Sequence, residues 1–170
     1  EAKPKWLTAA EKKLTFADAR GWVFKKSDNH QEEVLCAIGE LATSIGQADI
    51  THIDWVSTAF DKSDGGTLQV RARFNEEVTV TGTPQLTVVN DNNANHTLSY
   101  ASGSGTNELV FSLTIAAGNA ATDAGDELSI GANAMSLNSG TIKDKGTSTN
   151  STITNAASIG TAAGVITVAA

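Results

Sequence analysis

The sequence predicts a mainly β protein: a sandwich of short strands preceded by a segment of different character. Three observations carry this. From about residue 50 onward apolar residues alternate with polar ones, as in Leu68, Val70, Ala72 and Phe74 against Gln69, Arg71 and Arg73. That is the period of a strand with one buried face. Turn signals recur roughly every ten residues, the spacing of a sandwich or barrel. Thr, Ser, Ala, Asn and Gly dominate a chain with only two prolines, Pro4 and Pro84. Such a composition suits short strands and tight turns.

The elements follow in order. Thr8-Ala9-Ala10-Glu11 is a capping box, in which the Thr8 hydroxyl and the Glu11 carboxylate serve each other's backbone N–H. It predicts a short helix from about Ala9 to Ala19, ending near Gly21, with Leu7, Leu14 and Phe16 as a narrow apolar stripe. Trp22-Val23-Phe24 and Val34-Leu35-Cys36-Ala37-Ile38 flank a polar stretch and read as a β-hairpin. Both arms are apolar on consecutive residues, which implies burial on both faces. A two-stranded hairpin cannot cover its own faces, so the sandwich, a second copy or a larger assembly must do so. A connector over residues 39–49 follows, with Gly39 and Gly46 as breakers.

The body is expected to begin with a strand from Ile50 to Phe60 and to continue through Leu68–Phe74. A short piece carries Val78 and Val80, and Gly82-Thr83-Pro84 turns the chain into Leu86 and Val88. After an Asp91–Asn95 turn come Leu98 and Tyr100, then Ser102-Gly103-Ser104-Gly105 and the cleanest alternation, Leu109, Phe111, Leu113 and Ile115. Asp123 to Asp126 turns the chain again. Leu128 with Ile130, Met135 with Leu137, Thr141-Ile142 and Gly164 to Val168 complete the strands, with a polar loop over 143–151. Trp55, Phe60, Phe74, Tyr100 and Phe111 are the expected core aromatics. The division is into residues 1–49, an anchoring segment, and residues 50–170, the sandwich.

Charge is unevenly spread. The formal net charge is −7, yet residues 1–26 hold seven basic residues against three acidic ones, a local +4 that leaves −11 on the remainder. A basic start on an acidic body suggests an anchor for an acidic surface. Cys36 is the single cysteine and is expected to be a small buried hydrophobe, since no internal disulfide is possible. No run is long enough to span a membrane, and Glu1-Ala2-Lys3-Pro4-Lys5-Trp6 does not read as a signal peptide as it stands, which leaves a cleaved one open.

No catalytic constellation emerges. His30, His52 and His96 are isolated and have no metal-ligand spacing. Carboxylates gather at Asp61/Asp64, Glu76/Glu77, Asp123/Asp126/Glu127 and Asp144, without an EF-hand pattern or a calcium-binding repeat. The sequence therefore predicts no enzyme and no cofactor, with Ca²⁺ the one cation these oxygen ligands could take, and a body that folds without metal. Gly103-Ser104-Gly105 lacks the lysine and helix of a phosphate loop. The lysines at the start form no stacking surface for bases. Neither nucleic acid nor membrane is expected as a partner.

The stretches Val70-Arg71-Ala72-Arg73-Phe74-Asn75-Glu76-Glu77-Val78-Thr79-Val80-Thr81-Gly82-Thr83-Pro84-Gln85-Leu86-Thr87, Tyr100-Ala101-Ser102-Gly103-Ser104-Gly105-Thr106-Asn107-Glu108-Leu109-Val110-Phe111 and Leu137-Asn138-Ser139-Gly140-Thr141-Ile142-Lys143-Asp144 together resemble the bacterial Ig-like, cadherin-like repeat of large surface proteins. The resemblance covers about residues 50–168 and implies an Ig-like β-sandwich, so that the fold class becomes an Ig-like sandwich with an N-terminal short helix plus β-hairpin anchoring segment.

Lys3-Pro4-Lys5-Trp6-Leu7-Thr8, Arg20-Gly21-Trp22-Val23 and Glu33-Val34-Leu35-Cys36-Ala37-Ile38-Gly39 resemble the N-terminal part of virion structural proteins of tailed marine phages, notably cyanophages. That resemblance implies a particle-surface or decoration role. The partner would be the major capsid protein or another virion protein, with self-association in the particle. Contact is expected through Lys5, Trp6, Lys12, Lys13, Arg20, Trp22, Phe24, Val34, Leu35 and Ile38. A tail or fibre component of the same virion and an adhesin-type module of the bacterial cell surface are the alternatives. The missing internal repeat, and a last strand running into Ala169-Ala170, lead to the expectation of a complete small protein rather than one repeat of an adhesin.

Overall fold

The structure, a computed structural model, describes residues 6–18, 21–27, 33–37 and 47–170. The chain divides into two compact units, Glu1–Ile45 and Gly46–Ala170. Strand makes up 49% and helix 7% of the described residues, so the protein is mainly β.

In the first unit the capping box forms as predicted. Thr8 N–H donates to Glu11 Oε2 at 2.8 Å and Glu11 N–H to Thr8 Oγ1 at 3.3 Å. The helix it starts, α1 (Ala9–Lys13), is much shorter than the expected Ala9–Ala19. Leu14 caps it, and the chain continues as strand β1 (Thr15–Asp18). β1 pairs antiparallel with β2 (Gly21–Phe24), which pairs with β3 (Glu33–Ala37). The expected hairpin is thus two strands of a three-stranded sheet, and Gly21 opens a strand instead of closing a helix. The reason is local competition. An isolated helix of this length is marginal, whereas β-branched Thr15 and aromatic Phe16 suit a pleated strand with a ready partner.

The second unit is one continuous curled sheet. Its strands are β4 (Ile50–Trp55), β5 (Phe60–Asp61), β6 (Gly66–Thr81), β7 (Gln85–Asn90), β8 (His96–Ser102), β9 (Thr106–Ile115), β10 (Glu127–Ser129), β11 (Met135–Ser136), β12 (Thr141–Asp144) and β13 (Ile166–Ala169). A short helix, α2 (Ala157–Thr161), precedes β13. The order is β12-β6-β9-β8-β7-β10-β13-β5, with β4 also on β6 and β11 on β7. All pairs are antiparallel except β13 with β5.

β6 organises this sheet. Its first half pairs with β9, from Gly66↔Ile115 to Arg73↔Glu108, and with β4; its last residues, Val78–Thr81, pair with β12. The register with β9 shifts between Arg73 and Val78, which still pairs with Thr106, and over the same residues β4 gives way to β12 on the other edge, as expected at a bulged bend. Val78 and Val80, expected as a separate piece, are the end of this strand. The expected first strand, Ile50 to Phe60, is instead divided between β4 and β5. Inward residues of every strand meet in a single cluster, including Leu68, Val70, Phe74, Leu86, Val88, Leu98, Leu109, Phe111, Leu128, Ile130, Ile142 and Val168. A sheet whose inner face supplies one core must curl around it.

Phe60, Phe74 and Phe111 are buried as expected, while Trp55 and Tyr100 are half-buried and pack against the core. Their polar tips explain the difference. Trp55 Nε1 donates to Gly164 O at 3.2 Å, and Tyr100 Oη accepts from Ser104 N–H at 2.8 Å. Leu137, expected in a strand, is 37% exposed beside the Asn138-Ser139 turn, both of whose residues are left-handed. At Gly103 (φ +112°) an added Cβ would meet Glu108 O at 2.0 Å, so the Ser102–Gly105 turn requires glycine there.

Candidate interaction surface

The first unit presents apolar side chains to solvent. Among its described residues Trp6 is 70%, Leu14 42%, Phe16 41% and Val34 44% exposed. The register explains how two of them come together. Phe16 lies opposite Val23, and Val23 opposite Val34, so the three form a row across the strands on one face. Val23 at the centre is buried, and the two flanks are open. Trp22 and Phe24 alternate onto the other face and are half-buried. Leu35 is half-buried where the β2–β3 register shifts.

Of the residues singled out from sequence, Trp6, Lys12, Lys13, Trp22, Phe24, Val34 and Leu35 are thus placed. Lys5, Arg20 and Ile38 lie outside the described residues, as do His30 and the Cys36 side chain. Val34, a residue of the outer strand β3, is left open by the described residues of the chain, so the covering expected for the hairpin's apolar faces is not supplied there by its own sheet. Phe16, assigned to a helical stripe by sequence reasoning, belongs to the row only because β1 pairs with β2. The local positive charge does not extend over the unit, since residues 1–45 contain seven basic and seven acidic residues. The unit is therefore neutral, and apolar area is its main resource for binding.

The body's polar residues mostly serve the fold. Asp126 is 2% exposed and accepts from Asp123 N–H at 2.8 Å, Asn90 Nδ2 at 2.7 Å and Asn93 Nδ2 at 2.9 Å. These hydrogen bonds, that from the Asp123 backbone first, hold its carboxyl down at about 2. The network ties the end of β7 to the loop before β10. Sequence reasoning read Asp91–Asn95 only as a turn and gave Asn90 no role, because the partner of Asn90 lies 36 residues on. Asp123 pairs with Lys62, Asp61 caps the Ser63 turn, and Glu77 pairs with Lys145 at 2.6 Å. On the outer face Arg71 and Arg73 lie between Asp54 and Glu108, at 3.1–3.6 Å. His52 is exposed, and His96 is buried with Nε2 3.1 Å from Thr122 Oγ1. Among the described residues no three His, Cys, Asp or Glu side chains gather as a metal site, and no helix is long and apolar enough to cross a membrane.

Burial lowers the His96 pKa from its ordinary 6.5, outweighing the nearby Asp126 charge, which raises it. A group depressed in the fold contributes stability above its unfolded value and loses it as pH falls through the folded one. The melting midpoint is therefore expected to fall in two stages on acidification. His96 accounts for the first, beginning below about 6.5, and Asp126, held at about 2, leads the second, below 3.8, together with Asp61 and Asp123, whose carboxyls are also lowered by hydrogen bonds. Thermal melts from pH 8 to 2 check this; His96→Gln should flatten the first stage and leave the second. An unchanged first stage would assign it to another group. Comparison with family models, with curated proteins and with solved structures finds no match to this chain.

Proposed function

We propose that this chain is a non-enzymatic structural protein of a virus particle, a capsid decoration or cement protein that docks through its first unit and displays the second as an Ig-like sandwich. The row of Phe16, Val23 and Val34, with Trp6 at 70% exposure, carries the reading. A small sheet unit with open apolar flanks is suited to burial against another protein, and a large exposed aromatic is a common anchor of such contacts. The major capsid protein or another virion protein is the proposed partner. Support for the Ig-like assignment of the body comes from its antiparallel hairpins, its single core and the long β6 that changes partners at a bend.

Co-sedimentation with undecorated particles tests this. The full chain is expected to sediment with them, and a 46–170 fragment, which retains the core residue Ala48, to stay soluble and unbound. Trp6→Ala in the full chain should weaken binding by at least about tenfold, the loss typical of an interface anchor. Equal sedimentation of fragment and full chain would place the anchor on the second unit and end this reading.

A further inference from the structure

We propose that Glu76, Asp144 and Ser151 form a binding site for a hard divalent cation, Ca²⁺ by its ligand chemistry. Asp144 closes β12 and is 1% exposed. Its Oδ1 accepts from Thr147 N–H at 2.6 Å and Thr147 Oγ1 at 3.0 Å, while its buried Oδ2 receives no hydrogen bond. Ser151 is 9% exposed, and its buried Oγ also has no hydrogen-bond partner. The pairing places these two side chains on the same side. The antiparallel bridge Lys143↔Asn150 puts Ser151 opposite Ile142 and Thr149 opposite Asp144, with Ser151 N–H donating to Ile142 O at 3.0 Å and Asp144 N–H to Thr149 O at 2.8 Å. Asp144 and Ser151 therefore share the inward side with buried Ile142, one diagonal apart.

Glu76 arrives from β6. Asp144 lies opposite Val78, and Glu76 is two residues from Val78 on the same side of the strand. Its carboxyl is within hydrogen-bonding reach of that of Asp144. The nearby Lys145 is directed to Glu77 and to Gly105 O.

Two carboxyls in contact need either a shared proton or a cation between them. A shared proton would leave the Ser151 hydroxyl unserved, and water would not offset the paired charge. A cation satisfies all three donors at once. Oxygen alone, from three separate segments, is the ligand set of a hard ion. Ca²⁺ accepts an uneven set completed by water, whereas Mg²⁺ demands near-ideal octahedral geometry. The acidic corners were expected from sequence to need no metal; at this one a buried carboxylate oxygen and a buried hydroxyl argue otherwise.

The test is thermal melting of the full chain, stripped with EDTA and titrated with Ca²⁺ or Mg²⁺. Ca²⁺ should raise the midpoint by about 5–10 °C at a hundredfold excess over its dissociation constant, and Mg²⁺ by less. Glu76→Gln should abolish the response, and Ser151→Ala should weaken Ca²⁺ affinity several-fold. The exposed Asp64→Asn should respond as the native chain does. No shift up to about 10 mM Ca²⁺, beyond the weakest usual sites, overturns the proposal, as does an undiminished response in Glu76→Gln. A flat Ca²⁺ response with a Glu76→Gln midpoint above that of the native chain would assign the pair to a shared proton instead.

Discussion

Replacing Phe111 by alanine is expected to lower the free energy of unfolding by about 3–5 kcal/mol, through lost transfer energy and the cavity left behind. Phe111 is fully buried at the centre of β9, opposite Val70 on one side and Tyr100 on the other. Its ring meets the Tyr100 ring edge-on, with centroids 6.2 Å apart and planes at 74°, a favoured aromatic geometry. Leu68, Val70, Leu98 and Leu109 are themselves fully buried in the same core, and such packed surroundings relax only partly into a space left among them. Ser112, the next residue, lies on the outer face opposite Gln69 and Ser99. Ser112→Ala should change stability by less than about 0.5 kcal/mol. Urea denaturation of both variants, with the slope unchanged, measures the difference. Equal losses would mean that β9 is displaced by one residue, since that shift exchanges the two faces.

Asn155→Ala should cost about 2–4 kcal/mol, a large effect for a residue with no apolar surface to lose. Asn155 is 3% exposed. Its Oδ1 accepts from the Ala134 N–H at 2.9 Å, and its Nδ2 donates to Gly131 O at 2.9 Å and Ala156 O at 3.1 Å. Its backbone carbonyl accepts from the N–H of Asn133, a left-handed residue at φ 49°. One side chain thus closes the loop between β10 and β11 onto the segment leading into α2. Alanine removes this closure and strands a buried N–H beside the core residues Ala134 and Met135. Hydrogen exchange at the Ala134 amide provides a local reading: protection there should fall by more than at Leu98. Full retention of stability and of that protection would show that water replaces the amide without loss.

The alternations in β6, β7, β8 and β9, and the turns at Gly82, Asp91–Asn95, Ser102–Gly105 and Asn138–Gly140, were legible in the sequence alone. Each is a matter of neighbouring residues, because a strand's period and a turn's backbone demands act within a few positions. The capping box at Thr8 and Glu11 was legible for the same reason. Its helix length was not, since whether Thr15 and Phe16 coil or extend depends on a partner strand several residues away. α2 carried no start signal, for its N-cap Ala156 makes no side-chain hydrogen bond.

Only the tertiary structure decided that β6 runs unbroken past its bend and that the strands close around one core. It also selected Asp126, Asn155 and the Glu76–Asp144–Ser151 group from among many similar polar residues. These distinctions rest on burial and on partners distant in the chain, as with Asn155 and the Ala134 amide 21 residues before it. A buried polar atom must find whatever partner the fold places beside it. Composition, charge and spacing do not carry that placement; it arises when the curled sheet brings the ends of its strands together.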